Sequence, residues 1–378
     1  VEESAHFWQA LFKERLQGGL LISRDLRLPG RSGKILSVAA GHPLPDQRSL
    51  KSAKRCLSLL RGAGRKDCVV LYLMGGASSL LAKPAAGLTL EDKRKTTELL
   101  LKSGMNISEM NCVRKHLSAI KAGGLLRHAY PARLLTLAVS DVLGDDPTVI
   151  GSALTFHDPT TYKDAWMLLE RYGLLARLPG RVRAHLSRGL RGEIPETLKP
   201  GSALVPEKHF VLLANNQDAL SAAKDKAVSL GFATTILTAS LSGDTTTEAK
   251  RLCAFLKRTM SYRRPHCFLL GGETTVTVRG RGQGGRNQEF ALASAIEISG
   301  SSGLYMLSAG TDGSDGTTPA AGAFADGTTL SKGEALGLDA RRALRENDSY
   351  RFFKTLGELF CPGPTGTNVL DLKVILSY

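Results

Sequence analysis

Short apolar runs alternate with amphipathic stretches along the 378 residues of the chain, and this alternation predicts strands joined by helices in a parallel α/β arrangement. The runs are VVLYLM (69–74), LLTLAVS (134–140), FVLLA (210–214), ATTILT (233–238), CFLLG (267–271) and LYMLSA (304–309). Helical spacing fills the intervals. A helix over 90–103 follows the capping box Thr89-x-x-Asp92, and helices over 109–122, 161–172 and 217–230 run into Gly123-Gly124, Gly173 and Gly231, the residue type that ends helices. A further helix is predicted over 245–258, and the opening VEESAHFWQALFKERLQGG reads as amphipathic without a signal-peptide core. Between 190 and 208 the periodicity stops among three prolines. That stretch is the expected linker, dividing the chain near residue 205 into an N-terminal domain of 1–205 and a C-terminal domain of 206–378. Each is long enough to hold its own core.

Composition narrows the class. Hydrophobic content of 42% and charged content of 22% belong to a globular chain, and no apolar run reaches the ~18–20 residues that cross a bilayer. The six cysteines form no C-x-x-C pair and the eight histidines show no zinc spacing, so reduced, mostly buried thiols, a cytoplasmic location and no structural zinc are expected. Net charge is +15, which suits nucleic acid, an anionic substrate or a solvated surface. The densest cluster, Arg171, Arg177, Arg181, Arg183, Arg188 and Arg191, lacks the interleaved aromatics that stack bases. It is read as a solvated helical face, and neither nucleic acid nor membrane is expected as a partner.

Small and acidic residues follow the strands. GGASS (75–79) follows the first run, DVLGDD (141–146) the second, NNQD the third, GGE (271–273) the fifth and GTDGSDG (310–316) the sixth. Open α/β sheets bind ligands at the carboxyl ends of their strands, so these loops are expected to line a site between the two halves.

The segment GGETTVTVRGRGQGGRNQEF (271–290) has three readings. An RGG-type nucleic-acid tether requires disordered surroundings, whereas TTVTV alternates like a strand and NQEFALASAIEI has helical spacing; this reading fails. A dinucleotide fingerprint, Gly280-x-Gly282-x-x-Gly285, lacks the acidic residue expected ~20 positions on. The third reading is a phosphate cradle, in which a glycine-rich turn opening a helix presents unpaired N–H groups and Arg286 adds a bidentate contact. Asp312 and Asp315 on one glycine-rich loop are the pattern that holds Mg²⁺, and also that of a pair of Asx turns. Asp141, directly after a strand, is a candidate base or metal contact, beside capping roles for Asp145 or Asp146. Arg114, Ser118 and Lys121 are predicted on one face of the 109–122 helix, with Val113, Leu117 and Ile120 on the core side. Ser78 and Ser79 lack the G-x-S-x-G elbow of a hydrolase and read instead as donors to a small anion. His42 reads as a loop residue. Neither a Walker A sequence nor the protein-kinase set is present.

GHPLPD (41–46), GGASSLL, NCVRKHLSAIKAGG (111–124), SDVLGDD, HDPTT (157–161), GGETTVTVRGRGQGGRNQE, AGTDGSDG with AAGA (320–323), and GPTGTNV (363–369) occur in this order. In these blocks the chain resembles the type 2 glycerate kinases, also called the MOFRL family, many of whose members have carried the name hydroxypyruvate reductase. The resemblance implies ATP-dependent phosphorylation of D-glycerate to 2-phosphoglycerate with Mg²⁺. It also implies two α/β domains with mostly parallel sheets, the larger Rossmann-like, around a cleft, and leaves a homo-oligomer open. Under it Arg286 stabilises the transferring phosphoryl group, Asp312 and Asp141 are catalytic, and Asp312 with Asp315 holds the metal. Ser78, Ser79, Lys115 and Asn287 bind the substrate. Gly75, Gly76, Gly271, Gly272, Glu273, Gly282, Gly284 and Gly285 contact the nucleotide.

Departures from the family pattern accompany the resemblance. The chain starts at Val1, about where the family's Gly-Lys-Ala motif should just have passed, so the motif's lysine is expected either to be lost by truncation or to be absent from the protein. Ser-Gly-Pro-Thr is replaced by SALT (152–155), Asp-Gly-Pro-Thr-Asp by DGTTP (315–319), and Lys-Gly by Lys121-Ala122. Two alternatives stay open: a nicotinamide-dependent hydroxypyruvate reductase, and a binding protein that kept the fold without catalysis.

Overall fold

A computed structural model describes residues 2–24, 30–42, 44–204, 209–259 and 265–378. The expected division at residue 205, and Pro43 of GHPLPD, lie outside these. The chain forms two compact units, Val1–Ala138 with Asp146–Leu213, and Val139–Asp145 with Ala214–Tyr378.

In the first unit β1 (Gly19–Ser23) pairs parallel with β3 (Ile35–Ala39), whose other edge takes β2 (Gly30–Ser32) antiparallel. A second sheet has the order β4 (Cys68–Leu73), β5 (Arg133–Val139) and β6 (Phe210–Ala214), with β4 and β5 parallel. The partition between units falls at the carboxyl ends of β5 and β6. A separate helical layer is built by Leu90–Leu101, Ile107–His116, Tyr162–Arg171 and Gly180–Leu190. Leu100, Val113, Leu117, Leu169, Val182 and Leu186 form its core. Three of these four helices start at capping boxes, on Thr89, Asn106 and Thr161, which satisfy amides that would otherwise lack a partner.

In the second unit one six-stranded sheet has the order β11 (Leu359–Phe360), β10 (Gly322–Asp326), β9 (Leu304–Gly310), β12 (Asp371–Ser377), β8 (His266–Gly272) and β7 (Ala233–Leu241). Period-2 alternation along β8 sends Phe268 and Leu270 to one face, where they meet Leu252 and Leu256 of the helix Thr245–Thr259 and Phe290 of the helix Arg286–Ile298. Cys267 and Leu269 go to the other face, against Leu220 of the helix Asn216–Ser229. Helices therefore cover both faces.

The α/β class and the six predicted strands are present, with three differences. β7, β8 and β9 run the same way, but β12 inserts antiparallel between β8 and β9, so only β7–β8 is a parallel pair. The helix predicted over 109–122 ends at His116. Ser118 Oγ accepts from the amides of Ile120 and Lys121, and Ala122 and Gly123 turn to positive φ, so Arg114, Ser118 and Lys121 do not share a helical face. TTVTV is no strand; only Thr275 bridges, to Asp244. All six cysteines are free, with Cys68 and Cys361 exposed rather than buried. The six clustered arginines are all exposed, and among the described residues no helix is long and apolar enough to cross a membrane.

Candidate active site

Each unit carries a polar cluster built from the loops singled out above. In the second unit, the strand β8 ends at Gly271-Gly272 and the chain continues through Glu273 to the GRGQGG turn. Four amides of the segment 279–283 are engaged. Arg279 N and Gly280 N donate to Asn347 Oδ1 at 2.7 and 2.9 Å, Gly282 N to the Glu346 carbonyl at 2.9 Å, and Gln283 N to Asp348 Oδ1 at 2.8 Å. A Cβ on Gly282 would stand 2.4 Å from Asp348 Cβ, and one on Gly284 2.3 Å from Ser349 Oγ. The glycines let this turn lie flat against 346–349. Of the amides expected to form a phosphate cradle, those of 280, 282 and 283 are thus taken up within the chain.

The helix Arg286–Ile298 that follows is capped from another loop. Asn287 N and Gln288 N donate to the two oxygens of Asp315 at 3.1 and 2.8 Å, so the positive helix end already faces a carboxylate. Burial pushes the Asp315 carboxyl up to about 6 against the lowering effect of those two amides. Asp315 is thus the cap of this helix. Asp312, on the same loop, accepts from Ser314 N at 2.9 Å and Ser314 Oγ at 3.1 Å. Among the described residues no group of three His, Cys, Asp or Glu side chains is placed to hold a metal. Mg²⁺ commonly takes one or two carboxylates plus substrate phosphates, and Asp312 fits as one such carboxylate.

Arg286 is the hub. Its Nε and Nη2 form a fork on Asp371 at 2.8 and 2.9 Å, and Nη1 meets Glu273 at 2.8 Å. Asp371 also pairs with Lys373 at 3.1 Å, and both of those side chains are fully buried. Burial alone would raise Asp371, but Lys373 and Arg286 together hold it below the usual carboxylate range. Glu273 is raised by burial, which the Arg286 charge opposes and the charges of Asp371 and Asp141 reinforce. Asp141, Glu273 and Arg286 therefore share one electrostatic neighbourhood. Asn287 is buried beneath it: Oδ1 accepts from Ser308 Oγ at 2.8 Å and from Lys373 at 3.2 Å, while Nδ2 has no partner. Gly271 and Gly272 are packed strand positions, where a Cβ would meet Asn216 Oδ1 and the Leu241 backbone.

In the first unit, Gly76 takes φ +84°, with the His42 ring where its Cβ would be, and opens the short helix Ala77–Leu80 after β4. Ser78 Oγ lies 2.9 Å from Ser152 Oγ, and Lys121 Nζ donates to Ser78 Oγ and, at 3.2 Å, to Ser152 Oγ. Ser79 bonds back to the Gly76 carbonyl at 3.0 Å. Lys115 pairs with Asp158 at 3.3 Å, and Asp158 also accepts from Thr160 and Thr197. The segments holding Lys121 and Ser152 are joined by Ala122 N to Ser152 O and Gly123 N to Ala153 O, at 3.2 and 2.7 Å. Ala122, Ser152 and Ala153 all sit at positive φ, between 53 and 59°. At Ala122 and Ala153 the family pattern has glycine, the residue that takes this conformation freely.

Sequence reasoning missed three residues here and in the other unit. Asp371 and Lys373 lie on a strand not foreseen. Lys93 lies on the buried face of the helix Leu90–Leu101 with Leu90, Thr96 and Leu100. The spacing 90, 93, 100 was the available signal. Its Nζ is buried without a hydrogen-bond partner, and burial, followed by the Arg114 charge, brings it down to about 7. Burial also lowers Lys121 well below the lysine range, with Arg114, Lys93 and Lys115 adding to the effect.

Residues 3–187 match the family described as Domain of unknown function (DUF4147), and residues 266–371 match the MOFRL family. A glycerate 2-kinase of Pyrococcus horikoshii is 42% identical over 91% of this chain and 78% of its own length. A D-glycerate 2-kinase of Thermotoga maritima is 38% identical over 96% and 84%. The crystal structure of a glycerate kinase from Thermotoga maritima superposes with a TM-score of 0.88 at 37% identity, covering 98% of this chain and 87% of that one.

Proposed function

The chain belongs to the type 2 glycerate kinase (MOFRL) family, and from that premise we propose that it is a glycerate 2-kinase, transferring the γ-phosphoryl group of ATP to D-glycerate. The observation that carries this reading is the likeness to glycerate 2-kinases across both units, at 42% identity over 91% of the chain. Hydroxypyruvate reductase is the weaker reading: the fingerprint glycines 280, 282 and 285 are packed against Glu346, Asp348 and Asp315, which leaves them little room to approach a dinucleotide.

Phosphoryl transfer depends on positioning and on stabilising charge at the equatorial oxygens. In this reading Arg286 does the second. A guanidinium has five N–H donors; one each from Nε and Nη2 goes to Asp371 and one from Nη1 to Glu273, which leaves two. Because the fork is fixed by a buried carboxylate, those two donors are oriented before the nucleotide arrives, as electrostatic stabilisation requires. Asp141 is the candidate that accepts the proton of the glycerate hydroxyl as it attacks phosphorus, with ADP as the leaving group. Mg²⁺, arriving with the nucleotide phosphates, would be held through Asp312 and would neutralise charge on them. Of the residues expected at the substrate, Ser78 keeps a direct role. Ser79 shapes its turn, Lys115 is tied to Asp158, and Asn287 supports Lys373 from below. A cytoplasmic location goes with the reading and is supported by six unpaired thiols.

ADP release, followed with D-glycerate and Mg-ATP, tests the proposal against oxidation of a reduced nicotinamide with hydroxypyruvate. Nicotinamide oxidation without ADP release rejects the kinase.

A further inference from the structure

The first unit gathers more positive charge than it neutralises. Arg114, Lys93, Lys115 and Lys121 lie close enough for their charges to act on one another, and of these four only Lys115 is paired with a carboxylate among the described residues. Arg114 donates to Asn111 Oδ1 at 3.2 Å. Lys121 reaches only the hydroxyls of Ser78 and Ser152. Lys93 is 8% exposed and its amine has no hydrogen-bond partner among the described residues. A buried amine without a partner is costly, whether it carries its proton or sheds it, and one retained on the core face of a helix calls for a ligand that completes it. The anion must be small, because Lys93 and Lys121 are both buried, and it must accept hydrogen bonds as well as charge, because two serine hydroxyls stand beside Lys121.

We propose that Lys93, Arg114 and Lys121, with the hydroxyls of Ser78 and Ser152, form a buried oxyanion site that takes the carboxylate of the hydroxy-acid substrate. This rests on the glycerate kinase reading and extends it to residues given no role there. The backbone at Ser152 and Ala153, held at positive φ, fits a site where local strain is retained for ligand contact. An anion entering the site favours the charged form of the amines around it. Lys93, held near 7 by burial and by Arg114, is mostly neutral at pH 8, and burial, with the charges of Arg114, Lys93 and Lys115, holds Lys121 well below the lysine range. Binding is therefore accompanied by proton uptake.

The test is calorimetric titration of the whole chain at pH 8 without nucleotide, in two buffers of different ionisation enthalpy. D-glycerate, inorganic phosphate and glycerol are each used as probes. D-glycerate is expected to bind with net proton uptake, and glycerol, which lacks the carboxylate, to show none. Lys93→Met lowers D-glycerate affinity at least tenfold and reduces the uptake, while its melting temperature stays level or rises, because an unpartnered buried amine has been removed. Ser78→Ala lowers affinity but keeps the uptake. Wild-type affinity and uptake in Lys93→Met overturn the proposal, as does a lower melting temperature with binding unchanged, which marks Lys93 as structural. Binding of phosphate but not D-glycerate also overturns the carboxylate assignment, as does binding of neither. If D-glycerate binds with Lys93-dependent uptake but is never phosphorylated, the site stands and the kinase reading falls. If it is phosphorylated with Lys93-independent binding, the reverse holds.

Discussion

Arg286 ties stability to catalysis, and two substitutions separate the two. In Arg286→Ala the fully buried Asp371 loses two charge-assisted hydrogen bonds and keeps Lys373 at 3.1 Å. Removing one partner of a buried ion pair costs about 3–5 kcal/mol. Here the lower end applies, about 3 kcal/mol, because one cation remains and the Arg286 side chain is 31% exposed. Arg286→Lys retains a cation near Asp371 but loses the fork, so its stability cost is smaller, about 1 kcal/mol. In the proposed mechanism both variants lose the two N–H donors assigned to the transferring phosphoryl group, and turnover is expected to drop by about 10²–10³ in each. Urea unfolding should be followed by circular dichroism, since both tryptophans, Trp8 and Trp166, lie in the first unit. Turnover is read as ADP release at saturating D-glycerate. An Arg286→Ala midpoint equal to wild type refutes the account of Asp371, and near-normal turnover in Arg286→Lys removes the arginine from the mechanism.

Asp315 carries a pH signature. Its carboxyl is raised to about 6 in the folded chain from an ordinary 3.8, so between those values the native state binds more protons than the unfolded one and this group's contribution makes stability fall as pH rises. Asp315→Asn should flatten that fall in unfolding midpoints measured from pH 4 to 6.5, and an unchanged slope would count against a carboxyl raised by burial. Gly282→Ala should destabilise by about 1–3 kcal/mol through overpacking against Asp348 and the Glu346 carbonyl. The Michaelis constant for ATP of the folded fraction should not change; a rise in that constant without loss of stability would return the glycine to the nucleotide.

What the sequence made legible were the features with a local signal. β6 was placed to the residue, and the capping box at Thr89 marked a helix start. β12 escaped because its alternation is inverted: Asp371, Lys373, Ile375 and Ser377 are its buried positions, while Leu372, Val374 and Leu376 are only partly covered. A buried ion pair defeats any hydrophobic pattern. The helix over 109–122 overran because Ser118 offers its hydroxyl to backbone amides, a competition that propensity and spacing do not register. At the site, residue types were read well and partners poorly. Arg286 and Asp315 were singled out, but the carboxylate that orients the first and the amides that occupy the second come from segments 85 and about 28 residues away. Lys93 was passed over within a run of charged residues, although its position on the apolar stripe was visible.

Phosphorus NMR of the purified chain with D-glycerate and Mg-ATP identifies both the product and the oxygen that was phosphorylated. If the chain is a glycerate 2-kinase, a 2-phosphoglycerate resonance grows in step with ADP. A 3-phosphoglycerate resonance, or ATP left intact by a folded chain, rules that function out.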